Sequence, residues 1–362
     1  MMISSQVQVN NFQKNISLGK RINSIEFLRI LLIYLIILLH IFSIKMQLCQ
    51  DVSHLFNSKK QLFLTSGFAV EFFFIIGGYF LYENIKKGRT DPHVFINNIY
   101  IRLAPVFMLS MFLCMSFGSV DVAQILPGFL LLTGLSLPGQ IIDWGDWFVG
   151  VYFWLSIVFF VLLHKQSVKN MFWVLIIVYF SLSVKLNLVP QQGLIPGYLN
   201  IDGNFYGFIG AGVVRGLGAV GVGILASFIQ GYISIPHNKK FFYLFSVSEF
   251  ILFFTALCIL TRPTEFNIVC IQLVFAVLLL SFVNSAGVLS VLLNKIDLFS
   301  KVGKYSFSIY LLHLVPLKFF KEKNVSDIEF MLLVLIGATV LGIISYHIVE
   351  KPLTQKLKMK YA

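Results

Sequence analysis

The sequence predicts an all-α membrane protein: a polytopic bundle of about ten transmembrane helices with one short re-entrant or interfacial segment. Three observations carry this. The 362 residues are 57% hydrophobic and only 12% charged, about half the charged fraction of a soluble domain. Apolar runs of about 20 residues, enough to cross a bilayer core, recur along the whole chain. Most Lys and Arg residues fall in the short gaps between those runs, as membrane topology requires.

The elements follow in order. Residues 1–24 are polar and lack the charged–apolar–small pattern of a cleaved signal, so they are expected as a cytoplasmic tail ahead of a retained first span. That span covers roughly 25–44 and contains no Gly or Pro. Further spans are expected at roughly 66–84, 99–117, 147–164, 171–188, 208–230, 241–261, 266–285, 303–320 and 329–349. A shorter apolar piece, about 123–135, contains Pro127 and Gly128 and reads as the re-entrant or interfacial segment. Residues 25–350 thus form one transmembrane domain, and 351–362 a cytoplasmic tail. The gaps are too short for a soluble domain, and no internal repeat is visible.

The basic residues are asymmetric. Lys14, Lys20, Arg21, then Lys86, Lys87, Arg89, then Lys165, Lys169, then Lys239, Lys240, then Lys295, Lys301, then Lys351, Lys356, Lys358 and Lys360 share alternate segments. The intervening segments hold Lys45, Lys59 and Lys60, then no Lys or Arg in 118–146 or 189–207, then Arg262, Lys321 and Lys323. The positive-inside rule places both termini in the cytoplasm, and the expected membrane is a bacterial inner (plasma) membrane. The net charge of +12 is therefore topological, and a nucleic-acid partner is excluded. Cys49, Cys114, Cys258 and Cys270 are scattered, with no CxxC or Cys/His cluster. No metal or disulfide framework is expected.

An ionisable group inside a span costs about 2.5–3.5 kcal/mol on insertion scales and marks function by default. Here these are Glu26, Arg29, His40, Glu71, Arg102, Arg215, Glu249, His313 and His347. Arg29 and His40 are eleven residues apart, which returns a helix to nearly the same face about 16 Å further along. Glu26 shares that stripe. Glu71 lies at the depth of His40, where a carboxylate would orient the imidazole. Arg102 lies at the depth of Arg29, and two arginines at one level suit a polyphosphate anion. Arg215 sits in the small-residue run VVRGLGAVGVGILAS, where Gly216, Gly218, Gly221 and Gly223 allow close helix approach. For Arg215, a catalytic role and an interhelical ion pair both stay open. The outside loops carry Asp121, Asp143, Asp146 and Asp202 with Trp144, Trp147, Tyr198 and Tyr206. This set reads either as a sugar-binding shelf or as an interfacial aromatic belt.

At five places, in order along the chain, the residues resemble the acyltransferase-three family of integral membrane acyltransferases. They are Glu26-Phe-Leu-Arg29 followed by His40, Ala69-Val-Glu71-Phe-Phe-Phe-Ile-Ile-Gly77-Gly78-Tyr79, and Arg102-Leu-Ala-Pro105. The last two are Gly303-Lys-Tyr-Ser306-Phe-Ser-Ile-Tyr310-Leu-Leu-His313 and Tyr346-His-Ile-Val-Glu350-Lys-Pro352. The chain departs from the family pattern at Gly77, where the family has Ser, and at Asn97-Asn98-Ile99, where arginines are common.

The resemblance implies transfer of an acyl group, usually acetyl, from cytoplasmic acetyl-CoA to a hydroxyl of an extracytoplasmic glycan or lipid-linked oligosaccharide. No metal is implied. Arg29, Arg102 and Glu26 would form the donor site, and His40, Glu71 and Arg215 the catalytic set. Trp144, Trp147, Tyr310 and His313 are the candidates for acceptor binding, although a structural role is the simpler reading of the last two. His40 would act as general base or as nucleophile. Succinyl transfer is the close alternative. A secondary transporter is the rival from another class, but it calls for pseudo-repeated halves that the sequence lacks.

Overall fold

The computed structural model describes residues 21–48, 64–117, 125–135, 147–165, 168–188, 204–205, 209–232, 238–261, 267–321, 323 and 325–361. The elements are α1 (Asn23–Leu48), a 3-10 turn (Leu64–Phe68) leading into α2 (Ala69–Lys86), α3 (Pro92–Met115) and the short α4 (Ile125–Phe129). Then come α5 (Trp147–Leu163), α6 (Val168–Leu188), a two-residue antiparallel pairing of β1 (Asn204–Phe205) with β2 (Ile209–Gly210), α7 (Ala211–Gln230) and α8 (Lys239–Thr261). The chain continues through α9 (Asn267–Asn284), α10 (Val288–Asn294), α11 (Leu298–Gly303), α12 (Ser306–Leu312) and α13 (Leu314–Lys321). It ends with α14 (Asp327–Ser345), a π turn (Tyr346–Glu350) and α15 (Lys351–Tyr361).

Among the described residues, six helices are long and apolar enough to cross a membrane, and α9 with α10, bent by 60°, makes a seventh. The protein is an all-α polytopic membrane protein, and each expected span contains helix. The short segment at 123–135 is α4 followed by a tight turn, with Leu131 and Gly134 at φ of 51° and 76°. Its carbonyls are taken by neighbours: Tyr100 Oη donates to Phe129 O (2.8 Å) and Trp154 Nε1 to Leu130 O (3.3 Å). Irregular backbone in a membrane protein needs such partners.

The ninth expected span, 303–320, is corrected: it is α12 and α13 with a break at His313. Pro316 has no N–H for the carbonyl four residues back and crowds it, so the helix yields there. Ser110 Oγ on α3 donates to the Leu311 carbonyl at 2.7 Å, giving that group a partner beside the break.

The tightest packing joins α2 to α7. A Cβ on Gly78 would overlap the Val220 carbonyl, and one on Gly223 the Ile75 carbonyl. The small residues of α7 therefore let the two backbones touch, the usual means of helix association where lipid competes for apolar contact.

α1 is held at its start by Asn294. Ser24 N donates to Asn294 Oδ1 (2.8 Å) and Asn23 Nδ2 to Asn294 O (3.0 Å). The α9–α10 bend is fixed by Glu249, a fully buried carboxylate on α8. It accepts from Ser281 Oγ (2.7 Å), Ser290 Oγ (2.6 Å), Gly287 N (3.1 Å) and Ser290 N (3.0 Å). A carboxylate meeting the first N–H groups of a helix is favourable in charge as well as in bonding.

Candidate active site

The site begins at the start of α1. Glu26 lies in its first turn, with Oε1 3.2 Å from Arg29 Nη1 and Oε2 3.3 Å from Arg21 Nη1. The carboxylate rests on the backbone of Gly303, where a Cβ would overlap it. This explains a glycine at the head of the fourth motif: only a bare backbone leaves room for Glu26 to hold both arginines.

Arg29 and Arg102 then line one cavity, as the sequence predicts for residues at one depth. Arg29 Nε is buried without a hydrogen-bond partner. Arg102 is exposed to the cavity and makes no hydrogen bond or contact ion pair among the described residues. Arg29, Glu350 and the Tyr152 ring lie within its electrostatic range. Glu350 is presented by the π turn and accepts from Ser308 Oγ at 2.8 Å. A π turn widens a helix and re-aims one side chain, and such turns concentrate at functional sites. Here the fifth motif forms one.

The cavity has a volume of about 100 Å³ and opens to the outside. Its base holds the two arginines, and its walls are apolar: Phe73, Ile76 and Phe80 of α2, Leu103 of α3, Phe148 of α5 and Phe307 of α12. Gly77, Tyr152, Ser306 and Tyr310 complete it.

From Arg102 toward the histidines the rings form a continuous track. Tyr152 stacks on Phe148 (centroids 5.7 Å, planes 7° apart), and Phe148 meets Tyr310 edge-on at 5.7 Å. Tyr310 lies 5.8 Å from His313, and His313 5.1 Å from His40. The cavity thus reaches Tyr310, and His40 lies two rings beyond. His313 is fully buried at the helix break, with Nδ1 against the Tyr310 carbonyl. A carbonyl only accepts, so Nδ1 carries the proton and Nε2 is the basic nitrogen of the neutral ring. His40 is half-buried on α1.

Glu71 takes other partners than the one the sequence suggests. Its Oε1 accepts from Arg215 Nε at 2.9 Å, and its Oε2 from Gln272 Nε2 of α9. Arg215 Nη2 donates to the Gly67 carbonyl (3.0 Å), and its guanidinium lies 4.9 Å from the Trp147 ring centroid. Of the two readings left open for Arg215, the interhelical ion pair is present, with both side chains buried. The depth argument did not show which way Glu71 faces: the helix-to-helix contact of α2 with α7 turns it toward Arg215.

Trp147, read from the sequence as part of a sugar-binding shelf or of an interfacial aromatic belt, is only 3% exposed. Arg215 and Phe74 cover its ring, because a desolvated guanidinium gains from an aromatic face. Trp144, Tyr198, Tyr206, Asp121, Asp143, Asp146 and Asp202 lie outside the described residues.

Sequence reasoning missed Phe148, Tyr152 and Gln272 as parts of this architecture, and named Glu350 only within the fifth motif. α5 is apolar all round, so no periodicity marks its inward face, and Gln272 is one uncharged residue in an apolar run. The one visible signal was the glycine at position 77, whose missing side chain leaves room for Tyr152.

A family model described as "Acyltransferase domain" matches residues 22–347. No curated protein and no solved structure matches the chain.

Proposed function

This chain belongs to the acyltransferase-three family of membrane acyltransferases, and on that premise we propose that it moves an acetyl group from cytoplasmic acetyl-CoA to a hydroxyl of an extracytoplasmic glycan. The observation that carries this reading is the cavity with Arg29 and Arg102 at its base and an aromatic track leading to His313 and His40. Guanidinium groups with unused donors suit the phosphates of coenzyme A. The apolar walls suit the uncharged arm that follows them.

The chemistry proceeds at the far end. His40 accepts the proton of the acceptor hydroxyl as its oxygen attacks the thioester carbonyl. The tetrahedral intermediate collapses, the carbon–sulfur bond breaks, and the leaving thiolate takes that proton from the imidazolium. The products are an acetyl ester and free coenzyme A. Glu71 and Arg215 act through each other as a buried post fixing α2 against α7. A bacterial inner membrane with both termini in the cytoplasm puts the arginines on the donor's side. Succinyl transfer follows the same scheme.

The transporter alternative calls for broken helices at corresponding positions of two halves. The breaks described here, at 285–287 and 313, both lie in one third of the chain.

The test is mass spectrometry of surface glycans from cells with and without the protein, and with His40→Ala at equal protein level. The expected result is one acetyl per repeat lost in the deletion and in His40→Ala. Unchanged acylation in His40→Ala removes His40 from the mechanism. Unchanged glycans together with solute uptake replace the enzyme with a transporter.

A further inference from the structure

We propose that Tyr152, seated on Gly77, sets the size of the acyl group this protein accepts; the inference rests on the acyltransferase reading above. Gly77 and Tyr152 lie on different helices, α2 and α5, and both line the cavity. An ideal Cβ on Gly77 would overlap the edge of the Tyr152 ring at Cε2 and lie 2.8 Å from both its Cζ and its hydroxyl oxygen. The space that a serine or alanine at position 77 would fill therefore belongs to the Tyr152 side chain.

The ring is pinned in that position. It stacks on Phe148 with planes 7° apart and meets Phe74 at 6.3 Å. It also stands where passage matters, between Arg102 at one end and the Phe148–Tyr310 contact at the other. A thioester that leaves its phosphates at Arg29 and Arg102 and carries its acyl end toward His313 must pass this ring. Tyr152 is thus a wall residue in contact with the donor, and Gly77 is the positioning residue that decides where the wall stands. A well-packed wall penalises each added methylene, because surrounding groups relax only partly. Discrimination by such a pocket is on the order of 10–200-fold per methylene.

The experiment measures transfer by the full chain in detergent or vesicles from acetyl-, propionyl-, butyryl-, hexanoyl- and succinyl-CoA to glycan and lipid-linked oligosaccharide extracted from cells lacking the protein, with the free thiol released above an acceptor-free control as readout. The variants are Tyr152→Ala, Tyr152→Leu, Tyr152→Phe, Gly77→Ser and the double variant Gly77→Ser/Tyr152→Ala. The expected wild-type order favours the shortest donor. Tyr152→Ala and Tyr152→Leu raise kcat/KM for butyryl- and hexanoyl-CoA relative to acetyl-CoA by about tenfold or more, and Tyr152→Phe keeps the wild-type order. Gly77→Ser alone lowers transfer from all donors, since its side chain forces the ring into the cavity. Adding Tyr152→Ala restores transfer, a non-additivity that only a shared volume produces.

A wild-type donor order retained in Tyr152→Ala or Tyr152→Leu, with transfer intact, overturns the inference and leaves the acyltransferase reading standing. So does additivity of the Gly77→Ser and Tyr152→Ala effects. A wild-type chain that transfers from none of the donors removes the acyltransferase reading and this inference with it. Should Tyr152→Ala fail to accumulate, Tyr152→Leu and the double variant carry the same comparison.

Discussion

Replacing Arg215 with Met removes the cation from the most completely buried ion pair described. Glu71 is fully buried and Arg215 is 3% exposed, so neither exchanges its partner for water. Removing one partner leaves Glu71 with the Gln272 amide alone among these contacts, strips the Gly67 carbonyl of its donor and uncovers one face of Trp147. Breaking a buried pair from one side costs about 3–5 kcal/mol, chiefly because a desolvated charge is left uncompensated. For a chain of this size each kcal/mol moves the midpoint by about 1.3 °C, so Tm falls by roughly 4–7 °C. The assay is thermal unfolding of the detergent-solubilised protein followed by intrinsic fluorescence. Glu71→Gln/Arg215→Met removes both charges, and its Tm recovers by more than half of the loss, because an apolar replacement of a whole pair is close to neutral. A single variant within about 2 °C of wild type, or a double variant worse than either single one, refutes the account of this pair as the post between α2 and α7.

Arg102→Ala raises the KM for acyl-CoA roughly 10–100-fold, the worth of a charge-assisted hydrogen bond. It leaves transfer from an N-acetylcysteamine thioester, which has no phosphates, within about twofold; equal losses with both donors argue against a phosphate contact. Gly303→Ala puts a methyl into the Glu26 carboxylate and displaces the anchor of Arg29. It raises donor KM, and Gly303→Ala/Glu26→Asp does not recover the loss, because the added methyl also lies 2.8 Å from Glu26 Cβ, which aspartate keeps; a donor titration of both variants checks this. Glu249→Ala leaves two hydroxyls and two backbone N–H groups without their acceptor and costs roughly 2–4 kcal/mol. Hydrogen exchange at Gly287–Asn294 accelerates first, and uniform acceleration along the chain counts against a local role.

The membrane architecture was legible because lipid imposes a length and a polarity on every segment, and both are visible residue by residue. The Arg29–His40 stripe was legible for the same reason: α1 runs unbroken, so spacing alone fixes depth. What spacing leaves open is azimuth, the direction a side chain takes around its helix. Glu71 illustrates this. The partner it faces depends on α2 meeting α7 through Gly78 and Gly223, a contact between residues more than a hundred positions apart. The break at His313 had a visible cause in Pro316, yet an apolar run of the right length outweighs one proline when only composition is read. Tyr152 had no signal of its own, since every neighbour on α5 is equally apolar.

The break also ties the fold to the chemistry. In a continuous helix through 303–320, the Leu312 carbonyl would accept an N–H from position 316. Pro316 has none to give, Ser110 takes the neighbouring Leu311 carbonyl, and the Tyr310 carbonyl meets His313 Nδ1. One side chain of α12 therefore lines the cavity while the carbonyl of the same residue orients the histidine beside His40. Tyr310 thus belongs to both halves of the site: a change in its backbone reaches the imidazoles, and a change in its ring reaches the donor. Pro316→Ala restores the missing N–H and favours the unbroken helix. On this argument it costs transfer rather than stability, because it withdraws the turn that sets the His313 tautomer while improving the helix around it.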